Sequence, residues 1–76
     1  MANQNITVVV QDPHSIGLYD VDSGNYLGVI YVTSGSIVGS PIISRKNVTV
    51  TAQENGIMYM TTYELTTKKF IRKIRV

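Results

Sequence analysis

A chain of 76 residues with no cysteine has neither disulfide staples nor thiolate ligands to support it, and a single core of that size is only marginally stabilising. The net charge of +2 hides an asymmetry: residues 1–44 carry Asp12, Asp20 and Asp22 with no Lys or Arg. Residues 45–76 carry seven Lys or Arg against Glu54 and Glu64. The N-terminus shows no Lys/Arg-flanked apolar run, and nothing approaches the roughly 18 apolar residues of a membrane span, so neither a signal peptide nor a membrane partner is expected.

Seven strand-like runs, rich in Val, Ile, Thr and Tyr and separated by turn residues, predict an all-β chain without helices. The first, Ile6 to Gln11, puts Ile6, Val8 and Val10 on one face and stops at Asp12-Pro13-His14-Ser15. The second, Ile16 to Val21, is closed by Asp22-Ser23-Gly24-Asn25, where Gly and Asn tolerate positive φ. The third, Tyr26 to Thr33, is apolar on both faces and reads as an interior strand. Ser34-Gly35-Ser36 breaks it. The fourth, Ile37 to Ile43, holds Gly39 and Pro41, which predicts a bent, bulged or edge strand. The fifth, Val48 to Gln53, turns Val48, Val50 and Ala52 inward and Thr49 and Thr51 outward. Asn55-Gly56 is a hairpin signal before the sixth, Ile57 to Leu65. Thr66 to Lys68 then turns into the seventh, Lys69 to Val76. There alternation groups Phe70, Arg72, Ile74 and Val76 on one face and Ile71, Lys73 and Arg75 on the other.

These runs repeat. Asn5 to Asp12 (NITVVVQD) align with Asn47 to Glu54 (NVTVTAQE) at an offset of 42. Ile16 to Val32 align without a gap with Met60 to Val76 at an offset of 44, Tyr19 falling on Tyr63, Asp20 on Glu64, Tyr26 on Phe70 and Ile30 on Ile74. Two extra residues near Asn55 to Met58 absorb the change. The chain is thus one all-β domain, 1–76, with an internal repeat over 5–32 and 47–76. Periods of this length belong to stacked or radial repeats, whose units bury their faces against neighbours.

From Gly35 onward the sequence resembles the quinoprotein-like (PQQ-type) β-propeller repeat. Gly35, Ile37, Ser40 and Pro41 match its opening, Val48 and Val50 its middle strand, and Gly56 its turn. Asp20 with Ser23-Gly24 matches its Asp…Thr-Gly corner, which Glu64 and Thr67-Lys68 follow loosely. The family's docking Trp is replaced by Gly28 and Arg72, and the chain has no Trp. The resemblance implies blade architecture; the family's Ca²⁺ and quinone ligands have no counterpart, so no cofactor is expected. A compositional likeness to small capsid and tail proteins of bacteriophages, short and Thr/Val-rich, stands beside it. A small β-sandwich or barrel is the structural alternative.

Chemical constellations are few. Asp12, His14 and Ser15 share one turn and do not converge as a catalytic or metal cluster would. Asp20 to Asn25 begins like a Ca²⁺ loop but lacks the later Glu. Gly35 to Ser40 is followed by no Lys-Ser/Thr, so it does not read as a phosphate loop. Asn5-Ile-Thr7 and Asn47-Val-Thr49 are formal glycosylation sequons, expected to stay unmodified without a secretory signal. No enzymatic activity is expected.

Expected instead is a structural or assembly protein that forms a homo-oligomer: capsid decoration or tail protein of a virion, found there or in the cytoplasm of the producing cell. Strands three to six would make one four-stranded blade, with strands one, two and seven completing sheets with neighbours. The candidate interface is the basic strand (Lys69, Phe70, Arg72, Lys73, Arg75), facing Asp12, Asp20 and Asp22 of another copy. Other virion structural proteins are further candidate partners. The alternative is a small binding module, taking single-stranded nucleic acid on the same basic strand or glycan on Tyr19, Tyr26, Tyr31, Tyr59 and Tyr63.

Overall fold

In the computed structural model, which describes residues 5–32 and 35–76, the chain is all-β. The strands are β1 (Ile6–Asp12), β2 (Ser15–Asp20), β3 (Tyr26–Tyr31), β4 (Ser36–Ile37), β5 (Ile42–Ser44), β6 (Asn47–Glu54), β7 (Ile57–Glu64) and β8 (Phe70–Arg75). They form two antiparallel sheets. The first has the order β1-β2-β3; the second has the order β4-β6-β7-β8, with β5 also paired to β6. No helix among the described residues is long and apolar enough to cross a membrane.

Local chemistry sets each hairpin. The Asp12 carboxylate accepts the His14 N–H and the Ser15 hydroxyl, both at 2.8 Å, and so holds the β1–β2 turn. Asn55 and Gly56 take φ of 53° and 79°, the pair of positive values that lets a two-residue turn follow the twist of β6 and β7. Gly39 and Pro41 split the fourth predicted run into β4 and β5, both on the β6 edge.

Two expectations are corrected here. Strands three to six do not form a blade: β3 pairs with β2, and the second sheet takes the next four predicted runs. Nor is β3 interior. It is an edge strand whose apolar character reflects Ile30 packing in the core, whereas β2 is central and has four consecutive buried residues, Ser15 to Leu18.

The two sheets share one core. Ile16, Leu18, Ile30 and Val32 from the first meet Val48, Val50, Ala52, Tyr63 and Leu65 from the second, with Ile6, Val8, Leu27 and Ile37 packed around them. Each fully buried aliphatic side chain contributes about 1.5–3 kcal/mol. Inward Val48, Val50 and Ala52 agree with the alternation of the sequence. The opposite face of β6 and β7 carries Thr49 and Thr62, whose hydroxyls lie 3.0 Å apart.

Candidate interaction surface

The two meanders, β1-β2-β3 and β6-β7-β8, are built alike. In the β2–β3 turn the Ser23 hydroxyl donates to Asp20 at 2.8 Å and the Asp20 N–H to the Asn25 carbonyl at 2.9 Å. In the β7–β8 turn Thr67 donates to Glu64 at 2.6 Å and the Glu64 N–H to the Lys69 carbonyl at 2.9 Å. Gly24 and Lys68 occupy the same position with φ of 77° and 63°. Both meanders shift register at the same point, between Leu18 and Tyr19 and between Thr62 and Tyr63. Both place an aromatic pair edge-to-face beside that bulge: Tyr19–Tyr26 at 5.4 Å and Tyr63–Phe70 at 6.1 Å.

The first strand of each meander departs from the sequence alignment by one residue. Ile6 pairs with Asp20 and Asn47 with Glu64, so Ile6 occupies the place of Asn47, at an offset of 41 rather than 42. The β6–β7 hairpin is two residue pairs longer than β1–β2, which puts Asp12 in the place of Ala52, and the bulge at Gln11 then shifts the rest of β1 by one, putting Val10 in the place of Thr51. A one-residue slip exchanges the faces of a strand. Val8 and Val10 therefore correspond in space to Thr49 and Thr51, and Thr7 and Val9 to Val48 and Val50.

That correspondence defines the faces. The inner face of the first sheet (Val8, Val10, Ile16, Leu18, Ile30, Val32) is equivalent to the outer face of the second (Thr49, Thr51, Met60, Thr62, Ile74, Val76). The outer face of the first sheet (Thr7, Val9, Gly17, Tyr19) is equivalent to the inner face of the second (Val48, Val50, Thr61, Tyr63). On the central strands the equivalent Leu18 and Thr62 are alike in burial, at 0 % and 7 % exposed, but on β1 and toward the chain's flanks equivalent residues differ sharply. Ile30 and Val32 are each 3 % exposed, whereas Ile74 is 53 % and Val76 74 % exposed. Val50 is 0 % and Leu65 5 % exposed, against 50 % for Val9 and 57 % for Val21.

The predicted basic strand is β8, an edge strand exposed along its whole length. It does not form one basic surface. The bulge at Tyr63 turns Phe70 onto the face of Lys73 and Arg75, correcting the grouping read from simple alternation. Lys73 lies 3.7 Å from Glu54 and 4.3 Å above the Tyr59 ring on that inner face, and Arg75 sits opposite Tyr59. Arg72, opposite Thr62, shares the outer face with Ile74 and Val76. Lys69 belongs to the preceding turn, its N–H 3.4 Å from the Thr67 hydroxyl.

The acidic residues are also divided. Asp12 lies at one end of the first meander, and Asp20 and Asp22 lie at the other. Hydrogen bonds from the Ser15 hydroxyl and the His14 N–H hold the Asp12 carboxyl below its ordinary 3.8. The Asp20 carboxylate accepts the Ser23 hydroxyl and the Asp22 N–H. None of the three carboxylates forms an ion pair with a described residue. His14 points to the Gly35 carbonyl, 2.8 Å away, and Pro13 accepts the Ile37 N–H, so this turn joins the two sheets. Burial raises the Tyr63 hydroxyl above its ordinary 10.0.

At the position of the missing docking Trp, Gly28 leaves room that the Lys68 stem fills: a Cβ on Gly28 would stand 2.6 Å from Lys68 Cε. A small open cleft beside it is lined by Ile6, Leu18 and Leu27 of one meander and Leu65, Thr66 and Lys68 of the other. Comparison of the chain with family models, curated proteins and solved structures finds no match.

Proposed function

We propose that this chain is a non-enzymatic structural protein that works as a homo-oligomer, its most specific form being a virion component such as a capsid decoration or tail protein. The observation that carries the reading is the set of apolar side chains left exposed on both outer faces. Val9, Tyr26 and Tyr31 protrude from the first sheet and Met58, Ile74 and Val76 from the second. Exposed apolar patches of this kind on so small a chain mark contact sites. The blade resemblance supports the same reading, with the two meanders as neighbouring units of a radial assembly.

Native mass spectrometry tests it. A discrete multiple of the 8.4 kDa chain is expected at micromolar concentration; a monomer that persists at every concentration overturns the reading.

A second reading has its own support in β8, where the exposed Phe70 shares a face with Lys73 and Arg75, an aromatic among cations suited to single-stranded nucleic acid. Salt-dependent retention on an oligonucleotide column, abolished by Lys73→Glu with Arg75→Glu while the oligomer stays intact, would favour that binder.

A further inference from the structure

We infer that the outer face of β6-β7-β8 is the docking site for a second copy of this chain, which seats there the outer face of its own β1-β2-β3. The inference rests on the homo-oligomer reading and adds the surfaces, their polarity and the residues at the seam.

Within the chain, the inner face of the first meander packs on the inner face of the second. The equivalent of the first of these surfaces is the outer face of the second meander, and the equivalent of the second is the outer face of the first. Both are present on every copy and leave Val9, Val21, Ile74 and Val76 exposed, whereas Thr62 in the middle of the second meander's outer face is 7 % exposed. Advancing the internal packing by one repeat therefore places Ile74 and Val76, in the roles of Ile30 and Val32, against the next copy's Val9 and Val21, in the roles of Val50 and Leu65. All four of these are exposed in the single chain, and all four of their counterparts are buried.

Size and charge agree with the same placement. At the internal seam a large Lys68 covers a small Gly28. One repeat further on, the equivalents are Arg72 and Gly24, large and small on opposite partners. A side chain added at Gly24 would meet nothing within 4 Å, so the turn has room for the Arg72 guanidinium. That turn also carries Asp20 and Asp22, and Asp22 takes the place of Thr66, which lines the internal cleft. Arg72, the basic residue of β8 on this outer face, thus meets the acidic β2–β3 turn of the next copy. The contact is heterologous, so it propagates from copy to copy as a ring or a filament.

Two exposed substitutions on opposite faces, Val9→Asp and Ile74→Asp, test the polarity. Each alone is expected to weaken association at least about tenfold by placing a carboxylate in the apolar centre of the contact. Mixed together they are expected to form a 1:1 pair and nothing larger, because each retains the face that the other has lost. Circular dichroism and a denaturant midpoint check that both remain folded. Should either unfold, Arg72→Glu and Asp22→Lys serve instead: each is expected to weaken association, and the two combined in one chain to restore it.

A wild-type oligomer that neither pair of variants perturbs overturns this interface while leaving the homo-oligomer standing. Loss of assembly with Ile74→Asp but not with Val9→Asp means a symmetric contact and overturns it too. A wild-type monomer overturns both.

Discussion

The two meanders share turns, bulges and aromatic pairs, yet they invest their side chains differently. In the first, β2 and β3 direct Ile16, Leu18 and Ile30 into the core, and the strands are short. In the second, the same positions hold Met60, Thr62 and Ile74, while β6 and the end of β7 supply the core from the other face. The two units bury opposite faces of the same meander against each other. Equivalent backbone positions therefore need not carry equivalent energy; which face has a partner decides that.

Leu18 and Thr62 differ most in what truncation removes. Leu18→Ala empties a fully buried site and is expected to cost about 2–5 kcal/mol in denaturant unfolding. Thr62→Ala, at the equivalent place, removes the hydroxyl contact with Thr49 and is expected to cost about 1 kcal/mol. Similar losses at the two sites would show that the meanders are energetically interchangeable after all.

Ile30 and Ile74 sharpen the point because they are the same residue type. Ile30→Ala is expected to cost about 2–5 kcal/mol at any protein concentration. Ile74→Ala is expected to cost less than about 1 kcal/mol in dilute solution and, under the proposed contact with a second copy, more as concentration rises. Unfolding midpoints across a dilution series separate the two.

The smallest effect is electrostatic. The Asp12 carboxyl titrates lower in the folded chain than the ordinary 3.8, so the unfolded state takes up its proton first. Its stabilising contribution is full above 3.8 and is lost as pH falls through the lower folded value. Asp12→Asn is expected to flatten that part of the acid limb of stability against pH. An unchanged limb would mean that the Ser15 and His14 hydrogen bonds do not favour the ionised form.

Much of the fold was legible because it is local. Asn55-Gly56, Asp22 to Asn25 and the alternation of Val48, Val50 and Ala52 each settle their own hairpin or face without reference to distant residues. The all-β class followed from the same runs. The long-range partition was misread at Tyr26 to Tyr31, where apolar residues on both faces suggested an interior strand. The edge position follows from pairing, which composition does not record. The aligned motifs NITVVVQD and NVTVTAQE also hid the slip, since a string of valines aligns equally well in two registers.

The candidate surface was half visible. Charge asymmetry pointed to β8 and to the aspartates, but not to the separation of Arg72 from Lys73 and Arg75, which depends on a bulge. Val9 and Val21 carried no signal of their own as interface residues. Only their exposure beside buried counterparts distinguishes them.

The bulge at Gln11 has a consequence for how this sequence can change. Substitutions on β1 alter one contact at a time, and the extra residue Gln11 can be lost without re-pairing, because Val10 already faces Ile16 and Asp12 faces Ser15; loss of a residue between Ile6 and Val10 instead exchanges the faces of those that precede it. Turn residues such as Ser23 and Thr67 stand at places where length varies cheaply. In the arm preceding Pro13, then, the count of residues is under constraint from Ile6 to Val10, and the bulge is the one place where it can change without turning the strand over.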